Sequence, residues 1–299
     1  LLLGGALCAA IPGVLLAQGG QAPYKVVESG QGYGRLQQAI DAIGNGTGTI
    51  EIAPGLHPDC AVQEAGSIAY LSSTPGAAVF DGVTCEGKAA LVLRGRSASV
   101  SGIVFQNMRV PDFNGAGIRL ERGNLTVAQS WFRDSEQGIL TAADPAGQIV
   151  IDKSTFTRLG TCEGGGGCAH SIYVGDYGYL RVTRSRFEQG RGGHYVKSRS
   201  TRVDIASSSF DDTRGHETNY MIDLPAGRSS TTGSCKGGTR RTGPPSSRWA
   251  RKTASTPRTT SRSRATMPAW PRAWTAPRPS SRTGRATGWR SARTRWGRD

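Results

Sequence analysis

Between residues 98 and 224 apolar and polar positions alternate in short runs, and one run keeps returning. In the form aliphatic-x-aliphatic-x-x-small-x-Phe it occupies residues 125–132, 149–156, 180–187 and 203–210, with a looser copy at Ala98, Val100, Ile103 and Phe105. The phenylalanines Phe105, Phe132, Phe156, Phe187 and Phe210 stand 27, 24, 31 and 23 residues apart. Period-2 alternation sends every second side chain to one face of a strand. A repeat of this length belongs to a solenoid of strands rather than of helices. A second short apolar segment follows each copy, at 117–120, 138–141, 171–174, 195–198 and 221–224. One repeat is therefore a coil of at least two strands joined by Gly-, Asp- and Ser-rich turns. A single coil cannot bury its own apolar side chains, whereas stacked coils can. The pattern predicts an all-β parallel β-helix.

Ahead of the repeats, residues 24–27 read as a first strand. Leu36, Ala39, Ile40 and Ile43 then fall at helical spacing before Gly44, which predicts a short amphipathic helix over the open end of the solenoid. The domain so defined runs from 24 to 228. Residues 1–17 are apolar and rich in small residues, which predicts a truncated export signal and a secreted or periplasmic protein. Gly and Pro12 interrupt that run and it is short for a bilayer, so no membrane span is expected once the signal is removed.

The formal charge of +15 is concentrated at one end. Residues 1–228 hold 20 Lys and Arg against 21 Asp and Glu, while residues 229–299 hold 17 against Asp299 alone. Those last residues contain no Leu, Ile, Val, Phe or Tyr, so a packed core is not expected from them. They read as a disordered basic tail of the composition that a GC-rich gene gives when translated out of frame. A nucleic-acid function would have to rest on that tail, and none is predicted for the folded part. Export makes disulfides permissible. Cys60 and Cys85 can clip the first coils, and Cys162 and Cys168 can close the Gly164–Gly167 loop, with a metal site from Cys162, Cys168 and His170 as the alternative. No cofactor is predicted, and the sequence has no run of acids that would define a calcium site.

Several segments resemble a known family. The helix Leu36-Gln-x-Ala-Ile-Asp-Ala, then Ile50-x-Ile-Ala-Pro-Gly and Val79-Phe-Asp-Gly, look like the entry of the pectate-lyase-like right-handed β-helix superfamily. His170-Ser-Ile-Tyr-Val-Gly, Gly193-His-Tyr-Val-Lys-Ser-Arg and Ile222-Asp-Leu-Pro-Ala-Gly resemble the last coils of bacterial right-handed β-helix repeat proteins. The resemblance covers roughly residues 25–228. It implies a right-handed solenoid and extracellular polysaccharide chemistry by lyases, epimerases or hydrolases, and a monomer is expected.

Aligning the second segments stacks one residue of each coil on the next, about 4.8 Å apart. Ile118, Ile139, Ile172, Val196 and Ile222 point inward, so Arg119, Leu140, Tyr173, Lys197 and Asp223 point outward. Arg199 lies two residues beyond Lys197, and His170 and His194 lie just before their strands. This patch suits an acidic polysaccharide. Lys197 and Arg199 would neutralise a uronate carboxylate, His194 or Tyr173 would serve as the base for β-elimination, and His170, Asp223 and Arg119 would bind substrate. Lys197 beside Asp223 acts as an electrostatic stabiliser rather than a base. Each residue also has a plain structural role open to it, and the alternative function is a non-catalytic glycan-binding or cell-surface β-helix. His57 and His216 are expected to be solvent-facing loop residues, and Asp211 and Asp212 to fall in a turn.

Overall fold

The computed structural model describes residues 22–225, 228–236 and 292–295. The expected leader at 1–17 lies outside these, as does most of the expected tail from 229 to 299. The chain is all-β, with parallel strands stacked in long sheets, the arrangement of a β-solenoid. The coils have three strands, where at least two were expected, and in the last the first two run on as Arg202–Asp211. In one coil these are Asn124–Ala128, Trp131–Arg133 and Gln137–Thr141, and in the next Asp144–Asp152, Thr155–Thr157 and Ile172–Val174. The first two strands of each coil turn so closely into one another that their ladders form one sheet. The third strands make a separate seven-stranded sheet from Ala61–Gln63 to Thr218–Asp223.

The three-residue middle strands escape periodicity because they are bounded by two tight corners. At the first corner Gln129, Lys153, Arg184 and Ser207 adopt φ of 49°, 48°, 52° and 52°. At the second, Asp134, Arg158 and Gln189 adopt 55°, 53° and 57°. Non-glycine residues enter this left-handed region at a cost, so the surrounding structure must over-determine it. The small residue of the repeat does this at the first corner. Ser154 Oγ accepts the Ser130 amide of the preceding coil (3.3 Å) and donates to its own Asp152 carbonyl (3.0 Å). Ser130, Ser185 and Ser208 make the same pair of bonds, each accepting an amide from the coil before. The four serines are buried and form a hydroxyl ladder inside the solenoid.

Two residues on from each serine, the phenylalanines stack face to face. Ring centroids are 5.1 Å apart for Phe105–Phe132, 4.9 Å for Phe132–Phe156 and 4.7 Å for both Phe156–Phe187 and Phe187–Phe210. The column extends below the repeats through Phe80 to His57. This corrects the expectation for His57, which is buried between Tyr24 and Phe80 with Nε2 2.8 Å from the Ala53 carbonyl oxygen. In Gly55–His57 it pairs in register with Phe80, so alternation points it inward despite the proline that follows. His216 is exposed.

The helix spans Leu36–Ile43 and buries Leu36, Ala39 and Ile40. Its first amide is held by Asp59 Oδ2 at 2.9 Å, a cap supplied by the first coil. Two disulfides, Cys60–Cys85 and Cys162–Cys168, close the loops that their spacing suggested. At the other end, backbone pairing continues past the expected boundary at 228. The backbone of Arg228–Lys236 pairs in parallel with Arg202–Asp211, and Ala292–Arg295 pairs antiparallel with it. Ladder pairing asks only for backbone donors and acceptors, and Arg228–Lys236 contains no proline to remove one.

Phe187→Ala, in a middle coil, is expected to destabilise the protein by about 3–5 kcal/mol. Ser154→Ala leaves the buried Ser130 amide without its acceptor and is expected to cost about 1–3 kcal/mol. Denaturant unfolding measures both. A Phe187→Ala protein that unfolds like the parent would contradict the stacked register.

Candidate functional site

The outer face of the seven-stranded sheet carries two columns of side chains. In one, register pairs Arg119 with Leu140, Leu140 with Tyr173, Tyr173 with Lys197 and Lys197 with Asp223. In the other, Gln137, His170, His194 and Tyr220 follow one another, each two residues before an inward aliphatic. The rings of His170 and His194 stack at 4.9 Å, and those of His194 and Tyr220 at 5.4 Å. His170 also stacks on Tyr173 at 5.7 Å, which ties the two columns together.

Two loops raise walls over this floor. The first follows Ile103–Gln106 and is pinned by the buried carboxylate of Glu136, whose Oε2 accepts the amides of Val110 (3.1 Å) and Gly115 (2.7 Å). It brings Asp112 and Asn114 to the rim. The second is the loop closed by Cys162–Cys168, with Thr161 bridged to Ala169 at its base. Between them lies a cleft of about 370 Å³ lined by Gln137, His170, Tyr173, His194, Lys197 and Arg199, with Asn114 and Asn219 at its edges. The disulfide consumes both thiols, which removes the alternative of a metal held by Cys162, Cys168 and His170. Among the described residues no His, Cys, Asp and Glu grouping could hold a metal ion.

Backbone donors set the histidine protons. His170 Nδ1 accepts the His194 amide at 3.0 Å, and His194 Nδ1 accepts the Tyr220 amide at 3.1 Å. Each neutral ring therefore carries its proton on Nε2. Close approach of the coils at this point requires Gly193, since a Cβ there would stand 2.4 Å from His170 Nδ1 and 2.1 Å from the Ala169 oxygen. Burial pushes the His170 ring down to about 3, with His194 and Lys197 adding to the effect. Burial likewise lowers His194 to about 4, against the opposing pull of Asp223. Desolvation wins because the Asp223 carboxylate, itself buried, sits 3.5 Å from Nε2 rather than in a close charge pair. The same carboxylate lies 3.9 Å from Lys197 Nζ, and that cation is 5.9 Å from the Tyr173 ring centroid.

Of the residues expected in a site, His170, Tyr173, His194, Lys197 and Arg199 meet in the cleft, with Asp223 on the next coil above Lys197. Arg119 does not join them. Leu140 separates it from Tyr173 in the column, and its Nε lies 3.7 Å from Glu121 instead. Asp211 and Asp212 serve a turn elsewhere: Asp212 Oδ1 accepts the Tyr195 hydroxyl at 2.7 Å and the Thr218 hydroxyl at 2.9 Å. Sequence reasoning missed Gln137 and Asn114. Alternation would turn Gln137 inward with Ile139, but Gly138 also faces the core, against Phe156 and Leu159, and this break in the strand puts Gln137 in the cleft. Asn114 depends on loop folding that no periodicity reports.

Both rings are held neutral while an unfolded histidine titrates near 6.5. Below that pH the unfolded chain binds more protons than the folded one. Stability is therefore full above about 6.5 and falls as the pH drops toward about 4. Thermal melts across this range should show the loss, and His194→Gln should flatten it. An unchanged slope in that variant would show that other groups cause it.

Compared with known proteins, the chain matches no protein-family model, no curated protein and no solved structure.

Proposed function

We propose that the cleft binds an acidic polysaccharide, with Lys197 and Arg199 taking a sugar carboxylate and Tyr173 offering a ring face to the chain. One observation carries this reading. Lys197 and Arg199 line the cleft together, and no carboxylate among the described residues lies within 4 Å of Arg199. Lys197 is held only at 3.9 Å by Asp223, which leaves its ammonium protons for a ligand. The stacked parallel coils support grouping the protein with right-handed, pectate-lyase-like solenoids. The two disulfides support an exported protein, secreted or periplasmic. No helix among the described residues is long and apolar enough to cross a membrane.

Elimination at a uronate would need a base beside the neutralised carboxylate. His194 is poorly arranged for that task, since Nδ1 already accepts an amide and Nε2 carries a proton toward Asp223. It serves better as a buried strut that holds Asp223 and Tyr220. Tyr173 is then the group left to move a proton. Recognition of the acidic chain is the reading the geometry favours, and turnover is the question put to the same sample.

Calorimetry with polygalacturonate and with alginate tests this. Lys197→Ala and Arg199→Ala should each weaken binding roughly tenfold, as expected for a charge-assisted hydrogen bond. Raising the salt from about 0.05 to 0.5 M should imitate that loss by screening. Ultraviolet absorbance of unsaturated chain ends reports any elimination, which Tyr173→Phe should abolish. Equal affinity of parent and both cation variants would remove the acidic-glycan reading.

A further inference from the structure

The cations stand at one end of the cleft, on the coil that contains His194 and Lys197. Two coils below them, the floor of the cleft is uncharged. Gln137 is 2% exposed, lines the cleft, and gives its Nε2 protons to Asn114 Oδ1 at 2.7 Å. Its Oε1 is buried with no hydrogen-bond partner among the described residues. A buried acceptor left unpaired is costly, so such an atom in a ligand cleft marks where a donor belongs.

Directly above it in the column stands His170. Its Nδ1 is occupied by the His194 amide, so the ring presents an Nε2–H, and no described residue accepts that proton. An acceptor without a donor and a donor without an acceptor thus sit on adjacent coils, on the same face, in the same cleft. Lysine or arginine would satisfy only the first and a carboxylate only the second. A hydroxyl group satisfies both, donating to Gln137 and accepting from His170.

We infer that Gln137 and His170 form a hydroxyl-recognition subsite that selects acidic glycans with a free sugar hydroxyl. This rests on the acidic-glycan reading above and adds the part of the ligand that the cations do not see. Gln137 and Lys197 lie two coils apart, roughly 10 Å along the stack at the strand spacing. One sugar ring does not span that distance. Carboxylate and hydroxyl are therefore offered by neighbouring units, and the glycan runs along the solenoid axis rather than across it.

The test uses the full chain and two probes, polygalacturonate with free hydroxyls and the same polymer after O-acetylation, titrated by calorimetry. The parent protein should bind the free polymer about tenfold or more tighter than the acetylated one, because acetylation removes the donor and leaves the Gln137 acceptor unpaired. Gln137→Met keeps the length of the side chain and loses the acceptor. It should bind the free polymer roughly tenfold less tightly and discriminate little between the two. Circular dichroism and melting temperature confirm that this variant is folded, and the comparison of the two polymers on the parent needs no variant at all. Equal binding of both polymers by the parent would overturn the subsite while leaving the acidic-glycan reading intact, as would undiminished discrimination in Gln137→Met. Failure of the parent to bind either polymer would overturn both.

Discussion

A solenoid must turn its backbone inward at the same place in every coil, and a turned backbone has amides that face the core. Those amides find no partner in the strand ladders, and an unpaired buried N–H is costly. The serine ladder resolves this. Each hydroxyl takes an amide from the coil before and ties itself to a carbonyl of its own coil, so satisfying one coil requires the next to be in register. The phenylalanine column depends on the same alignment, since rings stack at 4.7 Å only if every corner is turned at the same residue. The cleft inherits its geometry from that register. His170 and His194 stack, and Tyr173 lies beside Lys197, because the opposite side of each coil is locked by serine and phenylalanine.

This explains why the site is built from pairs of adjacent coils. A backbone amide of one coil ends on the histidine ring of the coil below, first at His170 and then at His194. The rings are thereby kept neutral and oriented, and the charge in the cleft is left to Lys197 and Arg199. Asp223 lies on the next coil, near enough to orient both His194 and Lys197 and too far to cancel the lysine. Polar groups in this arrangement are fixed by covalently distant but spatially stacked neighbours, which is the usual requirement for a pre-organised binding surface.

Much of this was legible in the sequence because it obeys a period. The phenylalanine column, the inward aliphatics and the outward row through Tyr173, Lys197 and Asp223 all follow from alternation and a repeat interval. What escaped had no period to reveal it. The middle strand of each coil is three residues long and bounded by left-handed corners, so it is too short to show alternation. His57 looked like a loop residue because a histidine before proline carries no apolar signal, yet it closes the aromatic column. The strand at Arg228–Lys236 has no aliphatic residue to announce it and pairs through its backbone. Asn114 reaches the cleft because Glu136 gathers the amides of a loop, an interaction that residue spacing does not record. Arg119 occupies the outward row as expected, with Leu140 between it and Tyr173 and its side chain drawn toward Glu121.

The intervals between phenylalanines vary from 23 to 31 residues while the rungs beneath them do not change. The longest interval contains the Cys162–Cys168 loop, so extra length is expelled to the rim of the cleft and the floor stays on its pitch. A surface of this kind behaves as a ruler. Duplicating or deleting one coil would change its reach by a single strand spacing, about 4.8 Å, without disturbing the groups on either side. Changing a loop would alter the height of a wall and leave the ruler alone. Length and depth of the cleft are thus separate variables in this fold, each open to variation without cost to the other.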